Sequence, residues 1–159
     1  MSQPHEPGRP HGRGLRRGRH SESGRIYLLT TVTARRRPLF TDWRLGRLVV
    51  RTMAYYEAQG AITSWAFVVM PDHLHWLLAL GANTELAGFM RSFKAHAARR
   101  INRARGTPGR TVWQAGFHDH AVRREEDLRG LARYVVANPL RAGLVQDIAA
   151  YPLWDAAWL

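Results

Sequence analysis

Two apolar runs, Ile62 to Met70 and His73 to Leu80, are separated only by Pro71-Asp72. Both residues favour turns, so the segment predicts a β-hairpin. The first run is apolar on both faces, which places it centrally in a sheet. Upstream, the β-branched and aromatic stretch Ile26 to Thr33 reads as a strand, closed by the basic segment Arg35 to Pro38. Thr41 or Asp42 caps a helix running to about Gln59, with Leu45, Leu48, Val49, Thr52 and Tyr56 at helical spacing and Gly60 at its end. Downstream, Asn83 or Thr84 caps a long helix whose stripe is Leu86, Phe89, Met90, Phe93, Ala97 and Ile101. A loop at Gly106 to Gly109 precedes a fourth strand within Val112 to Arg123. Glu125, Glu126 and Asp127 then favour the start of a final helix, which Pro139 stops. The order βαββαβ followed by a helix predicts an α+β, ferredoxin-like sandwich with an antiparallel sheet and an added C-terminal helix.

A length of 159 residues suits one domain. Residues 1–24 hold five arginines and almost nothing to bury, and read as a disordered basic arm ahead of one domain over 25–159. The arm is either a polyanion-binding element or a solubilising tail. Lys plus Arg number 24 against 12 Asp plus Glu, a net charge of +12, and Lys94 is the single lysine. Guanidinium is planar, permanently charged and matched to phosphate, so the excess points to nucleic acid. Without cysteine, disulfide scaffolds, zinc ribbons and thiol nucleophiles are excluded. The apolar runs fall short of a membrane span, and the Arg16-Arg17 pair lacks the apolar region of an export signal. The cytoplasm is the expected compartment.

His73-Leu74-His75 opens a strand, where alternation puts both imidazoles on one face. Two neutral imidazoles on one rigid face make half of a metal site. The spacing by itself also arises incidentally, but a titratable pair set in an apolar hairpin is costly to bury for packing alone. Tyr134 and Asn138 lie four apart, hence on one helical face. A Tyr beside Leu131 and Val135 is ordinarily core, and an Asn before Pro139 ordinarily stops a helix.

Taken together, Met70-Pro71-Asp72-His73-Leu74-His75, Val112-Trp113-Gln114 with Phe117-His118-Asp119-His120, and Tyr134 ahead of Asn138-Pro139-Leu140-Arg141-Ala142-Gly143-Leu144-Val145 resemble the REP-associated tyrosine transposases, a branch of the single-tyrosine HUH transposases. Gly24-Arg25-Ile26-Tyr27 fits the family's first strand, and the resemblance runs to about Pro152. It implies a ferredoxin-like enzyme that cuts and rejoins single-stranded DNA at hairpin-forming palindromic repeats. Tyr134 matches the nucleophile, and His73, His75 and Asn138 match the ligands of a Mg²⁺ or Mn²⁺ ion. Asp72 stands where Asn is frequent, and Leu140 where Val is frequent. The resemblance favours a monomer with Tyr134 acting in cis, although related transposases include homodimers that share active sites.

Forming phenolate at neutral pH costs about 4 kcal/mol, which a metal-bound phosphate would help to offset. The general base is not identified; His118 and His120 are candidates by chemistry, and could equally mark a strand edge. For DNA contacts the sequence offers Arg25, Arg35, Arg36, Arg37, Lys94, Trp113, Gln114 and Arg141, with further arginines on the second helix. Arg141 alternatively caps a helix end. Two other readings stand beside the enzyme: a non-catalytic nucleic-acid-binding protein derived from such a transposase, and a zinc hydrolase built on His73, His75, His118 and His120.

Overall fold

The computed structural model describes residues 24–123 and 127–157. Most of the predicted basic arm, together with Glu125 and Glu126, lies outside the described residues. The hairpin forms as read, with β2 over Ile62–Met70 and β3 over His73–Leu80. Strand β1 (Ile26–Val32) pairs antiparallel with the other side of β3. Strand β4 (His118–Ala121) adds outside β1, and β5 (Trp154–Ala156) adds outside β2, giving the antiparallel order β4-β1-β3-β2-β5. The middle strand is β3, and β2 also lies inside the sheet, paired with β3 and β5, as its two apolar faces predict. Both faces of β3 are covered because alternate residues feed two separate cores.

Leu74, Trp76, Leu78 and Leu80 face the first core, shared with helices α1 (Trp43–Ala58) and α2 (Leu86–Arg105). Leu45, Val49 and Met53 from α1 and Phe89, Phe93 and Ala97 from α2 complete it. Trp76 is fully buried, and its indole N–H finds Ser64 Oγ at 2.9 Å, so burial leaves no polar group unpaired there. On the opposite face, Leu77 joins Ala66, Val68 and Met70 of β2 in a second core closed by Ala132, Val135 and Val136 of α3 (Leu128–Val136). The added helix thus makes a third layer.

Several boundaries differ from the sequence reading. Helix α2 is not capped by Asn83 or Thr84: Asn83 takes a left-handed turn at φ 61 and Glu85 occupies the cap position. The fourth strand covers only His118–Ala121, because residues before it spend their backbone groups elsewhere; Gln114 donates to the Val32 carbonyl and Trp113 makes only a single bridge to Thr33. Strand β5, three residues paired with β2, has no counterpart in the predicted order. Pro139 does end α3, but it also sits in the first turn of a short helix, α4 (Asn138–Arg141), so Tyr134 and Asn138 lie on two helices rather than on one face of one. Asp42 and Asp127 cap α1 and α3 by accepting the N–H groups of Arg44 and Arg129. Among the described residues, no helix is long and apolar enough to cross a membrane.

The approach to β5 is fastened by Tyr151, whose hydroxyl donates to the Val69 carbonyl, while burial pushes its phenol up to about 12. A phenol raised in the folded state stabilises fully below pH 10, and that contribution is lost as pH rises through about 12. Tyr151→Phe should therefore cost about 1–2 kcal/mol at neutral pH. In denaturant titrations the variant should also lose less stability than wild type between pH 10 and 12; parallel losses would contradict the assignment.

Candidate functional site

His73 and His75 open β3 on the face that α3 covers, at the end where Leu77 gives way to polar residues. Their Nε2 atoms converge to 3.1 Å, and the rings meet edge to face at 4.7 Å between centroids. Each outer nitrogen is held from behind. His73 Nδ1 lies 2.6 Å from Asp72 Oδ1, and His75 Nδ1 lies 2.8 Å from the hydroxyl of Thr30, its register partner on β1. Arg36 in turn reaches the second carboxylate oxygen of Asp72 at 3.3 Å. Burial works against the Asp72 charge, but the hydrogen bond and charge of His73, with Arg36, outweigh it and hold the carboxyl below its usual range. The Asp72 carboxylate accepts from His73 Nδ1–H, so the Nε2 of that ring is the nitrogen that faces His75.

The backbone pays locally for this arrangement. Arg35 and Arg36 both take the left-handed region, at φ 56 and 50, where an L-residue is strained. The Thr33 hydroxyl donates to the Arg37 carbonyl at 2.8 Å, bracing a turn that presents Arg36 to Asp72. Thr30 and the Arg36–Asp72 pair are the supporting residues that sequence reasoning did not find. Asp72 was visible beside His73, but the pairing of Thr30 with His75 is a register contact between distant segments.

The break between α3 and α4 explains Asn138 and Arg141. Pro139 has no N–H to give the Val135 carbonyl, and the Asn138 side-chain amide donates there instead, at 2.8 Å. That bond turns the amide nitrogen inward and leaves Oδ1 as the group Asn138 can offer. Arg141 donates to the Tyr134 carbonyl at 2.7 Å and lays its guanidinium 4.0 Å from the centre of the Tyr134 ring. Tyr134 is 57% exposed. The charge of Arg141 also acts on His75, helping to hold its pKa down.

The remaining sequence candidates divide. Arg35 and Gln114 are exposed, Arg25 and Arg37 half-buried. Lys94 instead spans the Gln114 and Gly116 carbonyls at 2.7 and 2.6 Å, with burial pushing its ammonium down to about 8. Trp113 is buried against Phe40, and its N–H goes to the Lys94 carbonyl. Both hold the loop ahead of β4 in place. His118 lies opposite Thr30 and His120 opposite Leu28, on the histidine face. Among the described residues, no three His, Cys, Asp or Glu groups gather to hold a metal, so the four histidines do not form the zinc cluster. Among the described residues, a third protein ligand to the His73–His75 pair would come from another residue type, such as an amide. Two imidazoles 3.1 Å apart fit adjacent positions on one ion, for which bonds of about 2.1 Å at right angles require about 3 Å.

Burial first, then the nearby charges of His73, Arg141 and His118, push His75 down to about 4. An unfolded histidine takes up its proton near pH 6.5, so between about 6.5 and 4 the unfolded chain binds more protons and stability falls as pH falls. NMR of the metal-free protein should place the His75 midpoint near 4; a midpoint near 6.5 would contradict the buried, paired geometry.

The family described as "Transposase IS200 like" matches residues 22–138. Over 89 residues the sequence is 30% identical to the REP-associated tyrosine transposase of Escherichia coli (strain K12), covering 55% of this chain and 50% of that one. The chain thus spans about half the length of that curated relative. A solved REP-associated tyrosine transposase bound to a REP hairpin shares the fold with a TM-score of 0.65 at 23% identity, covering 86% of this chain and 79% of that chain. With the family match extending over most of the sequence, from ahead of β1 to Asn138, the chain belongs to the IS200-like transposases.

Proposed function

We propose that the protein is a metal-dependent single-stranded DNA endonuclease and strand transferase, acting on hairpin-forming palindromic repeats with Tyr134 as its nucleophile. The observation that carries this reading is the convergence of His73 and His75 Nε2 at 3.1 Å, each ring held from behind by Asp72 or Thr30. Outer-sphere partners of that kind fix the ring orientation a metal needs. Asn138 Oδ1 would supply a third donor beside the two imidazoles, a mixed set suited to Mn²⁺ or Mg²⁺. An ion held there would polarise the scissile phosphate and neutralise developing charge.

Tyr134 Oη forms the new bond to phosphorus as its proton is lost, and the bond from phosphorus to the 3′ oxygen breaks. The 3′ oxygen takes up a proton and leaves as a hydroxyl, while the 5′ phosphate stays on Tyr134 as a diester that a second strand can attack. Arg141 positions the nucleophile by gripping its ring and its carbonyl. The exposed arginines of the β1 turn, Arg35 and Arg36, with Arg25, Arg37 and Gln114, offer contacts for the strand. The hairpin in the solved relative supports DNA hairpins as the partner class.

Incubation with labelled hairpin DNA and Mn²⁺ should give a protein–DNA adduct that survives denaturation, and Tyr134→Phe should give none. Wild type without an adduct, or Tyr134→Phe with as much, would favour a non-catalytic DNA-binding protein. Asp72→Ala should weaken Mn²⁺ binding by about 10- to 100-fold in calorimetry, since it removes the acceptor that orients His73; unchanged affinity would count against the metal site.

A further inference from the structure

Trp43, Arg47, Arg51 and Tyr55 recur at every fourth position of α1. Residues so spaced follow one ridge of a helix, here about 18 Å long. All four are exposed, and the two rings are 49% and 45% accessible, unusual values for such large apolar groups. Leu45, Val49 and Met53 on the same helix point into the core, so the ridge is its outward side. Arg47 lies 4.7 Å from the centre of the Trp43 ring, and Tyr55 packs edge-on against His96 of α2 at 5.1 Å. The rings are thereby held while remaining about half exposed.

Grooves of about 390 and 270 Å³ flank the ridge, and Arg47 and Arg51 line both. Phe67 and Trp154 line the larger, which also includes the carboxylate of Asp155. At the start of the ridge Asp42 is engaged by Arg44. The charge of the ridge is nonetheless positive. An apolar protein partner would meet two guanidinium groups between the rings. A DNA duplex hides its base faces. Unpaired bases, by contrast, stack on aromatic rings while their phosphates take the cations.

We propose that the α1 ridge is a second DNA-contacting surface, binding single-stranded DNA by stacking on Trp43 and Tyr55 and by phosphate contacts from Arg47 and Arg51. Helix α1 packs on the Trp76 side of the sheet, whereas His73 and His75 lie on the α3 side. The ridge is therefore separate from the cleavage site, and its binding does not depend on the chemistry at Tyr134.

The test is fluorescence anisotropy of the full chain with a labelled oligo-dT 12-mer, without divalent metal. Trp43→Ala with Tyr55→Ala should weaken binding roughly tenfold or more, and Trp43→Phe with Tyr55→Phe should restore most of it. Arg47→Gln with Arg51→Gln should weaken binding and lower the log–log salt slope by about 1.4. Wild-type affinity in the double alanine variant, confirmed as folded by circular dichroism, would overturn the proposal. So would equal competition by a blunt duplex.

Discussion

The side-chain alternation of β3 is the constraint on which both the fold and the candidate site depend. Leu74, Trp76, Leu78 and Leu80 enter the core beneath α1 and α2, and His73, His75 and Leu77 face α3. A slip of one residue would exchange the two sets, putting Trp76 where His75 stands. Pairing with β1 on one side and β2 on the other fixes the register along the whole strand. The packing that stabilises the molecule is thus the same packing that aims the two imidazoles.

That arrangement requires polar groups in a partly buried setting, and the surrounding residues satisfy them in series. Arg36 pairs with Asp72, Asp72 holds His73, His73 meets His75, and Thr30 closes the chain. Each link limits where the next can point. The interruption at Pro139 leaves the Val135 carbonyl to the Asn138 side chain, while Arg141 donates to the Tyr134 carbonyl. The Asn-Pro-x-Arg sequence therefore has a structural task of its own, and the same task presents the Asn138 oxygen and holds the Tyr134 ring.

Much of this is legible in the sequence, because the strongest signals are local. The hairpin boundaries follow from two apolar runs around Pro71-Asp72, and the capping roles of Asp42 and Asp127 follow from residue type. Elements set by distant contacts are not legible. Strand β5 is three residues long and forms against β2, and Thr30 reaches His75 from 45 residues away. Trp113 and Lys94 illustrate the opposite difficulty. An aromatic and a cation in a basic chain suggest DNA contacts, yet Trp113 is core and Lys94 binds two carbonyls. Composition indicates that arginines have a polyanion to meet; only the fold shows which of them support the site, as Arg36 does, and which stand on an open surface, as Arg47 and Arg51 do.

The central claim is that β3 and the α3–α4 break build one metal centre beside an exposed tyrosine. A crystal structure with Mn²⁺, read by anomalous scattering, tests it most directly. The account predicts one anomalous peak bonded to His73 Nε2, His75 Nε2 and Asn138 Oδ1. A peak at His118 and His120, or an empty histidine pair at saturating Mn²⁺, would contradict it.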